Sequence, residues 1–279
     1  DSKRPYPTFL GAIRVVVFGR NYARGSIEPY LHRINKFYDY RKTLLTVISR
    51  EPPSELFNLN IEKDISAGFL IEHNIRQMSE KGNSIYSTVG DLLSYTSLED
   101  VGYVLPYIGI EQDSIKYLGL AVMKDSKLQD IILLKGCRGY LYLKAENILF
   151  SESLEGYKNP DNIYSFNISI ADRIFKTNFI DDHIVIEINL DLNAQLQYQY
   201  YIESLTKKDI LKLENMLEEK IAKCVSHSFY KSTEDWKNDI FQFAKYFRAD
   251  NPEVYKKINY KKIYPQSKLK LSVNVKVIN

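Results

Sequence analysis

The side chains able to do chemistry are few, and their spacing argues against a reactive centre. The four histidines, His32, His73, His183 and His227, share no short ligand spacing and none lies near a cysteine in sequence. No zinc site is therefore expected from local sequence. Cys137 and Cys224 lie far apart; Cys224 falls on the apolar stripe of a predicted helix, where a free thiol acts as a small hydrophobe. Two acidic pairs, Asp181-Asp182 and Glu218-Glu219, could be imagined as acid–base carboxylates. The first sits between two strand patterns and reads as a turn. The second lies on the polar side of the same helix. Gly19–Gly25 follows a strand and precedes a helix, yet it lacks the Gly-x-Gly-x-x-Gly spacing and the Gly-Lys-Ser/Thr ending of phosphate loops. It reads as a turn. No Gly-x-Ser-x-Gly elbow occurs, and no nucleophile–base pair stands out. No catalytic, cofactor-binding or metal-binding residue is nominated, and the expected protein is not an enzyme.

Charge is more informative. Residues 256–279 hold seven lysines and no acid; the total of +3 less these seven leaves −4 on residues 1–255. A basic end of this kind can meet anionic headgroups or keep an edge strand from pairing with a neighbour. The second reading is favoured. Nucleic-acid binding is not expected, because no reader motif accompanies the lysines.

These residues must be positioned by ordinary amphipathic elements. At 44% hydrophobic and 26% charged, the 279-residue chain can build real cores. The best apolar run, Ala12–Phe18, contains Arg14 and is far shorter than the roughly 20 residues of a spanning helix. Asp1–Pro7 is polar and proline-marked, unlike a signal peptide, so the chain is expected to enter partway through a fold. Strands are predicted at 13–18 and 43–48, and helices over 26–38, 65–78 and 87–98. A hairpin is predicted from Tyr117–Met123 and Leu128–Leu134 around a polar turn, followed by a helical segment over 136–146. Alternation in 164–170, 184–198 and 269–277 predicts strands with one dry face, and an antiparallel sheet covered on one side is the economical solution. The cover begins at the capping box Thr206–Asp209, then runs as a stripe through Leu213, Leu217, Ile221 and Cys224. A second helix is predicted from Ser232–Asp235 through Ile240, Phe243 and Phe247. The fold class is α+β and multi-domain, with mixed or antiparallel sheets and helices packed on one face. The expected division is an N-terminal α/β domain at 1–110 lacking its opening part, a small central β-hairpin/helix domain at 111–162, and a C-terminal antiparallel sheet with long helices at 163–279.

Several segments, taken in order, resemble the C-subunit family of spore germinant receptor lipoproteins. Gly119–Asp125, Lys127-Leu128 and Arg138–Leu141 resemble its central signature, and Asp239–Arg248 with Pro252 is similar to its C-terminal one. Pro29-Tyr30-Leu31, Arg41 and Leu105-Pro106 fall where the family has comparable residues. The resemblance implies a three-domain protein held by an N-terminal lipid, absent from this chain, on the outer face of the inner spore membrane. Its partners would be integral-membrane A and B subunits that respond to nutrients. Gly119, Asp125, Arg138, Gly139, Asp239, Phe243, Phe247 and Pro252 are motif positions whose plain role is structural. Gln242 and Ala244 replace the more usual glycines and suggest a tighter helix there. A domain that binds a nutrient directly is the alternative, and it would need a pocket of roughly 300–1,000 Å³.

Overall fold

The computed structural model describes residues 12–36, 40–59, 66–98 and 100–278. Asp1–Pro7, Tyr38 and Ile65 lie outside them. Two compact units form, one from residues 1–77 and 85–134, the other from 78–84 and 135–279.

The first unit is built on a five-stranded sheet, ordered β1 (Val15–Gly19), β2 (Leu45–Ser49), β3 (Tyr103–Glu111), β4 (Ser114–Lys124) and β5 (Lys127–Leu133). The first three strands run parallel and the last three antiparallel. β2 is buried along its whole length, as expected of a parallel strand covered on both faces. One face packs α1 (Arg20–Gly25), α2 (Glu28–Lys36) and α5 (Val89–Thr96) through Phe18, Ile27, Leu31, Ile48 and Leu92. The other packs α3 (Pro53–Phe57) and α4 (Ala67–Glu80) through Val15, Val47, Leu56, Ile71 and Ile75. Gly19–Gly25, read as a turn, becomes α1, with Ala23 wholly buried. β3 runs through the boundary read at residue 110, and the predicted hairpin supplies β4 and β5 of the same sheet.

The second unit carries a four-stranded sheet, ordered β6 (Phe150–Glu155), β7 (Ile163–Ile180), β8 (His183–Gln199) and β9 (Lys268–Ile278). β6, β7 and β8 are antiparallel, but β9 runs parallel to β8. The expected all-antiparallel arrangement is thus corrected to a mixed one. A parallel neighbour needs a crossover, and the helices after β8 supply it. These are α7 (Lys207–Tyr230), α8 (Phe243–Asp250), α9 (Pro252–Tyr255) and α10 (Tyr260–Ile263). Before β6, α6 (Arg138–Lys144) packs on α7.

The capping box forms as predicted: Thr206 accepts from the Asp209 amide while the Asp209 carboxylate accepts from the Thr206 amide. Leu213, Leu217, Ile221, Val225 and Phe229 form the buried stripe of α7, with Cys224 only half-buried. The predicted second helix is corrected. Lys231–Asp235 continues α7 as a π turn, the next residues are irregular, and α8 begins only at Phe243.

Candidate functional site

The motif positions fall in two places. In the first unit Gly119 sits beside a β-bulge, where Tyr107 pairs with Gly119 and Ile108 with Tyr117. Its φ of +146° and a would-be Cβ 2.0 Å from the Ile132 carbonyl oxygen leave no room for a side chain. Asp125 and Ser126 both have positive φ, the conformation of a type I′ turn closing β4 onto β5.

The other positions gather in the second unit. Gly139 lies where α6 crosses α7, and a Cβ there would meet the Cys224 carbonyl oxygen at 2.2 Å and Ser228 Oγ at 2.3 Å. Beside it the Arg138 guanidinium lies 4.0 Å from the centroid of the Phe150 ring. Phe243 is buried among Phe175, Phe229 and Phe241, and Phe247 among Phe179, Tyr255 and Tyr260. Pro252 opens α9, where its missing N–H costs nothing. Gln242 adopts φ 62°, in the left-handed region. The tighter helix suggested by its glutamine side chain is therefore corrected: the backbone keeps a glycine-like turn.

Asp239 holds that turn. Its Oδ2 accepts from the Ala244 amide at 2.8 Å and from the Tyr260 hydroxyl at 3.0 Å, so the carboxylate caps α8 from outside the helix. Burial raises its pKa to about 6; the amides of Ala244 and Phe243, Tyr260 and the charge of Lys144 oppose that rise. Lys144 donates to the Phe241 carbonyl at 3.2 Å, and burial lowers its pKa to about 8. Alongside, Ser232 Oγ bonds the Tyr264 hydroxyl at 2.6 Å and the Asn238 carbonyl at 2.7 Å. Such groups could hold a proton, but Asp239 is only 2% exposed. The arrangement locks a turn and offers a substrate no entry.

A second feature lies in the first unit. A cavity of about 630 Å³ runs along β1 and is lined by Phe18, Tyr22, Tyr30, Phe57, Arg20 and Arg50, among others. Tyr22 stacks on Phe18, and Tyr30 meets the same ring edge-on. Arg50 is held by Glu51 and Glu111. The Arg20 Nε is buried with no hydrogen-bond partner among the described residues. The wall is largely apolar and also carries the Arg20 and Arg50 side chains, which suits an uncharged or anionic organic group.

Both halves of the sequence match families of one kind. Residues 1–110 match the spore germination protein N-terminal domain, and residues 118–279 match the family described as spore germination B3/GerAC like, C-terminal. The chain belongs to the GerAC-like spore germination family. The crystal structure of the GerBC protein shares the fold of this GerAC-like chain, with a TM-score of 0.77 at 16% identity, across 100% of this chain and 82% of that one. No curated protein matches it. The family is described by its part in spore germination.

The remaining candidates take structural places in this GerAC-like fold. His32 pairs with Glu28 at 3.3 Å and His73 stacks on Phe69. Among the described residues no three histidine, cysteine or acidic side chains gather as a metal site would require. Asp181 and Asp182, at φ 49° and 60°, form the turn between β7 and β8. Both cysteines are free. Glu218, read as a solvated charge, does more: its Oε1 accepts from the Val275 amide at 2.9 Å, and Glu214, one turn earlier, accepts from the Val277 amide at 2.8 Å. Their spacing of four along α7 was visible in sequence, but the edge strand they serve was not.

Proposed function

We propose that this GerAC-like chain acts without catalysis, as a germinant receptor C subunit that associates with integral-membrane A and B subunits in nutrient-triggered germination. A lipid outside the present sequence would hold it on the outer face of the inner spore membrane. Gly119, Asp125, Arg138, Gly139, Asp239, Phe243, Phe247 and Pro252 would serve by fixing turns and close crossings. The observation that carries this reading is the family match over residues 1–110 and 118–279. The enclosed setting of Asp239, the carboxylate that burial pushes upward, supports it. Affinity purification of the intact lipidated protein from spore membranes should bring down A- and B-type subunits. Recovery of the protein without them would count against the reading.

The cavity along β1 favours a second reading, direct capture of a small nutrient molecule. Its 630 Å³ lies inside the range of ordinary ligand pockets. A panel of amino acids and sugars should then raise the melting temperature, and Arg20→Met should abolish the shift. A flat response across the panel removes this reading and leaves the first intact.

A further inference from the structure

At the end of β8 the chain displays its own hydrophobes instead of hiding them. Tyr198, Tyr200 and Tyr201 are each more than half exposed and Ile202 is 95% exposed, next to one another in the second unit. The rings meet edge to face, Tyr198 to Tyr200 at 6.4 Å and Tyr200 to Tyr201 at 5.2 Å. This display is built. Asn162, 2% exposed, grips the Tyr201 backbone from both sides, accepting from its amide at 2.8 Å and donating to its carbonyl at 3.0 Å. The Tyr200 amide bonds the Ile163 carbonyl, and the Glu203 amide bonds the Gln199 side chain. The one acid of the loop, Glu203, is turned onto Asn162 and the Tyr164 hydroxyl. Lys207 and Lys208, exposed in the first turn of α7, follow directly, and among the described residues neither is engaged in an ion pair.

We propose that this loop is a docking site for an anionic lipid surface, with Ile202 entering the interface, the tyrosines lying at headgroup depth, and Lys207 and Lys208 meeting headgroup phosphates. Tyrosine suits that depth because its ring is apolar and its hydroxyl is wet. Lysines beside an apolar tip add attraction that falls off within a Debye length. The exposed area of the four side chains is on the order of 500 Å², given the 150–250 Å² of an aromatic side chain. That falls short of the roughly 800 Å² per partner of a standard protein interface, whereas a protruding tip needs no matching partner surface. The loop, its rigid hold and its charge carry this inference, which does not depend on the family reading.

The test uses the 279-residue chain and extruded vesicles of either phosphatidylcholine alone or phosphatidylcholine with about one third phosphatidylglycerol. The protein should sediment with the anionic vesicles in low salt, and Tyr200→Ser/Ile202→Ser should lower the partition at least about tenfold. Lys207→Glu/Lys208→Glu should remove the preference for anionic lipid. All these side chains are exposed, so the variants should melt as the parent does. The only native tryptophan, Trp236, is buried, so Ile202→Trp supplies a reporter whose emission should shift to the blue on vesicle addition. Absence of sedimentation overturns the proposal, as does equal sedimentation of the serine variant. Loss of sedimentation only when Lys268, Lys270 and Lys276 are replaced would place the contact on β9 and overturn it too. So would serine variants that lose a membrane-protein partner while the parent never binds vesicles.

Discussion

Asp239 is the residue on which local structure and electrostatics meet. Its carboxylate satisfies the first amides of a helix that begins with no side-chain cap of its own. Its folded pKa of about 6 exceeds the 3.8 of an unhindered aspartate because burial penalises the charge. The folded state therefore holds this proton more tightly than the unfolded chain does. The corresponding stability is fully present below about pH 4 and is lost as the pH rises through 6. Over that window the loss from this group should approach about 3 kcal/mol. Asp239→Asn keeps an acceptor for the Ala244 amide and has no proton to lose. Chemical denaturation between pH 4 and 7 should show the parent losing stability relative to this variant. Parallel curves would contradict the assignment. Asp239 and Gln242 also show what the sequence conceals. Apolar spacing through Ile240, Phe243 and Phe247 reads as one helix, but a left-handed glutamine and a carboxylate capping from outside break it.

At the scale of elements, the open edge of the second sheet is managed by α7. β9 lies at the sheet edge, and its outward amides at Val275 and Val277 are taken by Glu218 and Glu214. Carboxylates accept these bonds more strongly than water or a neutral group would, and an occupied edge cannot template another strand. The lysines of β9 act in the same sense, with Lys270 paired to Glu187 at 2.9 Å. Glu214→Ala/Glu218→Ala should cost about 1–3 kcal/mol for each amide left without its acceptor, and should produce concentration-dependent self-association in light scattering. A variant that stays monomeric at unchanged stability would contradict this role. The long helix, its capping box and the alternating strands were legible because period and caps are local signals. β7 was half legible. A bulge between Ile170 and Asp172 inverts its parity, so Phe175 and Phe179 reach the helices from positions that alternation assigns to the other face. The parallel pairing of β9 depends on where a four-helix crossover returns, which no local pattern encodes.

On the scale of the whole chain, Asp181 and Asp182 serve a turn, Asp239 a cap and Glu218 an edge. The sequence showed the lack of short metal or nucleophile spacings, and its ordered signatures pointed to the germination family. The cavity along β1 and the tyrosine loop were not legible, since each depends on side chains that the fold leaves beside one another. Asp239→Asn in the full-length protein is the most direct test of this account. Spores carrying that variant at normal abundance should germinate on nutrient at the parental rate, because the turn is kept and only the charge is gone. A stably folded variant, correctly located, that fails to respond to nutrient would contradict the account and make the carboxylate itself the working part.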